Sequence, residues 1–223
     1  VPPSKGGYVL LKGETVLKKA LIVWGGWEGH QSEAVSNILA DMLRSEKFEV
    51  TLSNTLDSFS DISLMQSMDL IIPNWTNGKI AKQPLSNLIE TIQNGCGLAG
   101  CHAGMCGAFR QEVDYHYMTG GQWVQHPGGD GICYTVRITD QNHPVTKGMT
   151  DFEVFTEQYY MHIDPAISIH AVTNFDKVEM PVVWTKKWGK GNVYYNSLGH
   201  SPEIIQQPAV YKLLKKGFLW ASR

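Results

Sequence analysis

Cysteine is scarce. The four thiols, Cys96, Cys101, Cys106 and Cys133, include no CxxC pair. That excludes a zinc ribbon, and a disulfide framework is not what holds a chain of 223 residues. Free thiols, buried or partly buried, are expected. A surplus of one charge is also missing: 19 Lys and Arg stand against 21 Asp and Glu. No basic patch is implied, so no nucleic acid partner is expected. No apolar run approaches the roughly 18–20 residues that span a bilayer, so no membrane partner is expected either.

Hydrophobic residues make up 43 % of the chain, enough for a full core. Residues 1–18 read as a polar N-terminal arm with Pro2, Pro3, Gly6 and Gly7, and residues 19–223 as a single domain. The chain begins at Val1, which leaves the compartment open between the cytoplasm and export after signal-peptide removal. Homo-oligomerisation is left open too.

Residues 20–24 are a short continuous apolar run that ends in Gly25-Gly26, the pattern of a buried strand. Val35, Ile38, Leu39, Met42 and Leu43 form one helical stripe, with Ser32 as its N-cap. Strands at 48–52, 69–73 and 97–100 follow, and Pro84 opens a helix before the last of them. This alternation calls for an α/β fold with a mostly parallel central sheet and helices on both faces. The second half is richer in strands, at 134–138, 152–155, 167–169, 180–184 and 191–198. A final helix buries Val210, Leu213, Leu214 and Phe218.

Eight histidines are present, and several follow strand ends. In an open parallel sheet those ends share one edge, where ligands bind. His30, His102, His126, His162 and His200 are therefore candidates to converge. Gly100-Cys101-His102-Ala103-Gly104 has the spacing of a nucleophile elbow with a histidine at its centre. The expected consequence is a tight turn that holds the His102 ring in the crevice and not in the core. Cys101, one residue early, should point into the fold. His116, His143 and His170 read as ordinary loop or core histidines.

Six stretches, in order, resemble motifs of the ThuA-like (trehalose utilisation) family. They are Gly29-His30, residues 95–104, residues 120–127, residues 140–148, Thr156-Glu157-Gln158-Tyr159-Tyr160, and residues 189–200. Together they cover the chain from about residue 19 onward. Gln31 stands where that family often has a basic residue, and Cys101 where it often has Leu. The resemblance implies a flavodoxin-like fold of the class I glutamine amidotransferase type and a role in sugar utilisation, linked to 3-keto-disaccharides. Amidotransferases carry a cysteine at the elbow. His102 stands there instead, so glutamine hydrolysis through a thioester is not expected.

The resulting expectation is an enzyme, a hydrolase, lyase or isomerase, doing acid–base chemistry on a sugar derivative. His102 or Glu157 serves as base, and His200 or His126 as acid. His30, Trp123, Tyr159, Tyr160 and His162 line the substrate site. One alternative is a zinc or other divalent-metal site drawn from His30, His102, His126 and His200 with Glu157. The other is a sugar-binding module without catalysis.

Overall fold

The computed structural model describes residues 17–223, so the expected N-terminal arm falls almost wholly outside the described residues. The first half alternates strand and helix: β1 (Lys19–Gly26), α1 (Ser32–Ser45), β2 (Glu49–Ser53), α2 (Ile62–Gln66), β3 (Leu70–Thr76), α3 (Lys82–Gln93), β4 (Gly97–Cys101), α4 (His102–Cys106) and α5 (Val113–Thr119). The second half is mostly strand: β5 (Gly121–Gln125), β6 (Ile132–Ile138), β7 (Phe152–Thr156), β8 (Tyr160–Ile163), β9 (Ser168–Phe175), β10 (Val178–Trp188) and β11 (Gly191–Asn196). Two helices follow, α6 (Pro202–Gln206) and α7 (Pro208–Ala221).

Nine strands form one sheet in the order β2-β1-β3-β4-β11-β10-β9-β6-β7. The half from β2 to β11 is parallel. From β11 outward the pairing is antiparallel. Within the parallel half, β1, β3 and β4 are buried on both faces. Ala20 and Ile22 face a core with Leu39, Leu43, Leu213 and Phe218 of α1 and α7. Leu21 and Val23 face the opposite core with Leu88 and Ile92 of α3 and Tyr115 of α5. Burial on both sides is why β1 reads as an unbroken apolar run and not as an alternation.

Two local expectations are corrected. Gln31, in the left-handed region at φ 48°, caps α1 in place of Ser32, and its side chain makes no capping hydrogen bond. Pro84 lies inside the first turn of α3, behind an N-cap at Ala81. Cys96, Cys101 and Cys106 are buried free thiols, and Cys133 is exposed. Among the described residues no helix is long and apolar enough to cross a membrane.

Candidate functional site

The carboxyl ends of β1, β3, β4 and β11 meet at one edge of the sheet, and His30, Thr76, His102 and His200 lie at or just beyond them. The elbow is tight for identifiable reasons. A Cβ at Gly100 would lie 2.7 Å from the Met105 side chain, and one at Gly104 would overlap the Asn74 carboxamide. His102 itself sits at φ +52°, a left-handed conformation that strains any residue with a Cβ.

The rings of His30 and His102 are 4.8 Å apart, those of His30 and His200 5.2 Å, and those of His102 and His200 5.5 Å. Glu157, after β7, lies among them. Its Oε2 is 3.1 Å from His102 Nε2, and its Oε1 is 3.3 Å from His200 Nδ1 and 3.7 Å from His126 Nε2. Tyr134 donates a hydrogen bond to the Glu157 carbonyl at 2.9 Å and fixes that backbone from β6. The Tyr159 hydroxyl is 2.7 Å from His102 Nε2. His102 Nδ1 lies 2.9 Å from the Ser197 carbonyl, and His30 Nδ1 lies 2.8 Å from Thr76 Oγ1.

This packing sets the charges. Burial, reinforced by the neighbouring imidazoles of His102 and His200, lowers the His30 pKa to about 3. Burial also lowers that of His102, outweighing the pull of Glu157. Glu157 is the reverse case. Its desolvation favours the neutral acid, but the imidazoles of His102 and His200 prevail and hold its carboxyl below the usual range. His200, beside that carboxylate, is raised. The site is one buried anion among imidazoles, two of which burial keeps neutral.

A crevice of about 260 Å³ opens onto this cluster. His30, His126, Glu157, Tyr159 and Trp123 line it, with Trp27 at its mouth. Several expectations need correcting here. His102 is only 3 % exposed, behind Glu157, so its ring is part of the packed interior and not of the crevice wall. Tyr160 packs edge-on against Phe175, and the exposed His162 pairs with Gln122 across β5–β8, away from the crevice. Tyr159 precedes β8 and turns inward, whereas the strand carries its successors elsewhere. His126 lies 3.7 Å from Glu157 but outside the four-residue group whose donor atoms converge, which is His30, His102, Glu157 and His200.

Trp27 and Thr76 were missed by sequence reasoning. Trp27 is 54 % exposed, stands edge-on to His30 at 4.8 Å, and occupies the segment before that histidine, which was its only signal. Cys101 points into the core as expected, and burial raises its thiol to about 12, far from a working nucleophile. His170 and His143 stack on each other at 3.9 Å, remote from this group.

A search of curated proteins finds no match. Among solved structures, the chain is similar to a ThuA-like protein from Parabacteroides merdae. Identity is 20 %, coverage 92 % of this chain and 90 % of that one, and the TM-score 0.77. A ThuA-like protein from Bacteroides uniformis shares 17 % identity over 96 % and 95 % of the two chains, with a TM-score of 0.77. A β-galactosidase from Bacillus circulans matches at 12 % identity over 92 % of this chain but 30 % of its own, with a TM-score of 0.61. At these identities the likeness establishes the fold. The family model described as trehalose utilisation, ThuA, matches residues 19–221, nearly the whole described chain, and the protein belongs to that family.

Proposed function

We propose that the crevice processes a sugar derivative by proton transfer, with a keto-sugar glycoside as the substrate class. The observation that carries this reading is the pairing of a buried, ionised carboxylate with imidazoles at the floor of a crevice walled by Trp27 and Trp123. Aromatic faces suit the apolar face of a sugar ring, and the polar floor suits its oxygens. About 260 Å³ is below the usual range of roughly 300–1,000 Å³ for ligand pockets, so one ring enters and the rest of a glycoside stays outside. Membership of the trehalose-utilisation family supports a sugar substrate.

A keto group acidifies the C–H bond beside it. His126, half-buried on the crevice wall, takes that proton, and the electron pair moves onto the keto oxygen as an enolate. His126, now protonated, delivers that proton to the leaving oxygen as the glycosidic bond breaks, which gives elimination, or to the former keto carbon while the adjacent hydroxyl gives up its proton, which moves the carbonyl and gives isomerisation. Glu157 is too weak a base for this step, because its imidazole neighbours hold it ionised. Its part is to anchor charge. A thiol nucleophile is not involved, since Cys101 faces the core.

The test is incubation of the full chain with 3-keto-trehalose in D₂O, followed by proton NMR. Deuterium should enter beside the keto group, or the glycosidic bond should break. His126→Ala should slow this by about 100-fold or more, the usual contribution of a general base. Saturable binding with neither exchange nor cleavage would leave a sugar-binding module and end the catalytic reading.

A further inference from the structure

We infer that His30, His102, Glu157 and His200 form a divalent transition-metal centre at the floor of the crevice. This deepens the catalytic reading of the same crevice by naming what its cluster holds, although the argument stands on donor geometry alone. The four donor atoms lie within 4.8 Å of one another. Zinc bonds to nitrogen and oxygen are about 2.0–2.2 Å, which puts tetrahedral ligands about 3.3 Å apart. Two separations are already of this size, one from each carboxylate oxygen: Glu157 Oε2 to His102 Nε2 at 3.1 Å and Glu157 Oε1 to His200 Nδ1 at 3.3 Å. Binding of an ion then requires the wider ones, up to 4.8 Å, to shorten.

For His102 and His30, hydrogen bonding on the far side of the ring fixes which nitrogen is offered. The Ser197 carbonyl is an acceptor only, so His102 Nδ1 carries the proton and donates to it, and Nε2 presents a lone pair. Thr76 engages His30 Nδ1 and leaves its Nε2 toward the cluster. An imidazole held on a carbonyl or hydroxyl by one nitrogen, with the other turned toward a shared carboxylate, is the arrangement of a metal-ligating histidine; at His102 that second nitrogen also meets the Tyr159 hydroxyl at 2.7 Å, a contact that an ion would replace.

The second observation is a deficit of protons. His102 Nε2 and Glu157 Oε2 are both acceptors, 3.1 Å apart in a buried place, and the Tyr159 hydroxyl has one proton for the two. Glu157 Oε2 and His200 Nδ1 are buried with no hydrogen-bond partner. Facing lone pairs repel unless a cation lies between them. Three nitrogens and one carboxylate favour a zinc, cobalt or nickel type of ion over magnesium or calcium, which take oxygen ligands. His126 stays outside the ligand set and remains available for proton transfer.

The experiment uses the full chain stripped with a chelator and titrated with Co²⁺, followed by visible absorption and calorimetry, with Zn²⁺ in competition. One Co²⁺ per chain should bind at micromolar or lower dissociation constant, Zn²⁺ should displace it, and millimolar Mg²⁺ should not. Glu157→Gln, which keeps side-chain volume, and His200→Asn, which is smaller but still polar, should each weaken binding by at least tenfold while still melting cooperatively. His162→Ala should bind as the parent does. Failure to bind Co²⁺ or Zn²⁺ below about millimolar, or binding unchanged in Glu157→Gln and His200→Asn, overturns the inference. In either case a proton, not a metal, bridges the pair. The two readings fail separately. No Co²⁺ or Zn²⁺ binding together with exchange on 3-keto-trehalose would remove the metal and keep the catalytic crevice. Tight metal binding without any turnover would do the opposite.

Discussion

At the scale of the residue, His102 concentrates the constraints. Its backbone is left-handed at φ +52°, and its ring is packed against Tyr159 at 4.3 Å between centroids. Its carbonyl accepts a hydrogen bond from Tyr195 at 3.1 Å. A left-handed residue with a Cβ is strained by roughly 1–2 kcal/mol, and strain of this kind persists where the surroundings over-determine it. Removing the ring leaves the Ser197 carbonyl without its donor, at a cost of roughly 1–3 kcal/mol. His102→Ala suffers both effects, whereas His102→Gly escapes the backbone strain. We therefore expect His102→Gly to melt above His102→Ala, the reverse of the usual order at a helix start. A thermal melt of the two variants decides it, and Ala melting higher would show that the left-handed turn is not what limits this position. The place of His102 at the elbow was legible from the Gly100–Gly104 spacing, but its burial was not. Nothing local indicates that Glu157, 55 positions later, will come down in front of it. Ser197 was equally hidden, because it acts through its carbonyl, which every residue has.

At the scale of the element, the parallel half was the readable part. Apolar runs at β1 and β3 and stripes at α1 and α3 record burial on two faces or on one. The two-stranded sheet of β5 and β8 was not readable. These strands are four or five residues long, and a register shift between Trp123 and Gln125 breaks their alternation. That sheet decides which of Tyr159, Tyr160 and His162 faces the crevice, so Tyr160 and His162 were misplaced with it. The packing of α7 on β11 offers a test of how closely elements approach. Gly217 lies in the interior of α7, where glycine is normally worse than alanine by about 1 kcal/mol. Here a Cβ would overlap the ring of Tyr194, which is fully buried and donates to the Leu213 carbonyl at 3.0 Å. Gly217→Ala should therefore destabilise, by about 1–3 kcal/mol as overpacking does, and denaturant unfolding should show it. A more stable alanine variant would mean that α7 can lift from the sheet at little cost.

At the scale of the whole molecule, the antiparallel extension completes the site. The parallel half supplies three histidines by the ordinary rule for strand ends. The carboxylate arrives only because the chain runs out to β7 at the far edge of the sheet and returns toward β8 beside β5. The same extension holds a second pair of imidazoles outside the converging group, one of them buried. His170, on β9, bonds to Thr185 Oγ1 at 2.7 Å and stacks on His143, with Asp140 at 3.5 Å. Burial, aided by His143 and opposed by Asp140, lowers its pKa from the ordinary 6.5 to about 4. In the unfolded chain the same ring takes up a proton near pH 6.5. Between those values the unfolded state binds more protons, so stability rises with pH across that window. The contribution is intact above 6.5 and drains away as the pH falls toward 4, below which no further loss comes from this group. His30 and His102 are lowered too and steepen the same trend. In chelator, the melting temperature should therefore fall from pH 7.5 to pH 4.5. His170→Gln keeps a hydrogen-bonding side chain for Thr185 but has no proton to gain. It should lose fewer degrees over that interval than the parent, and an equal loss would show that His170 takes up its proton as freely in the folded protein as in the unfolded chain.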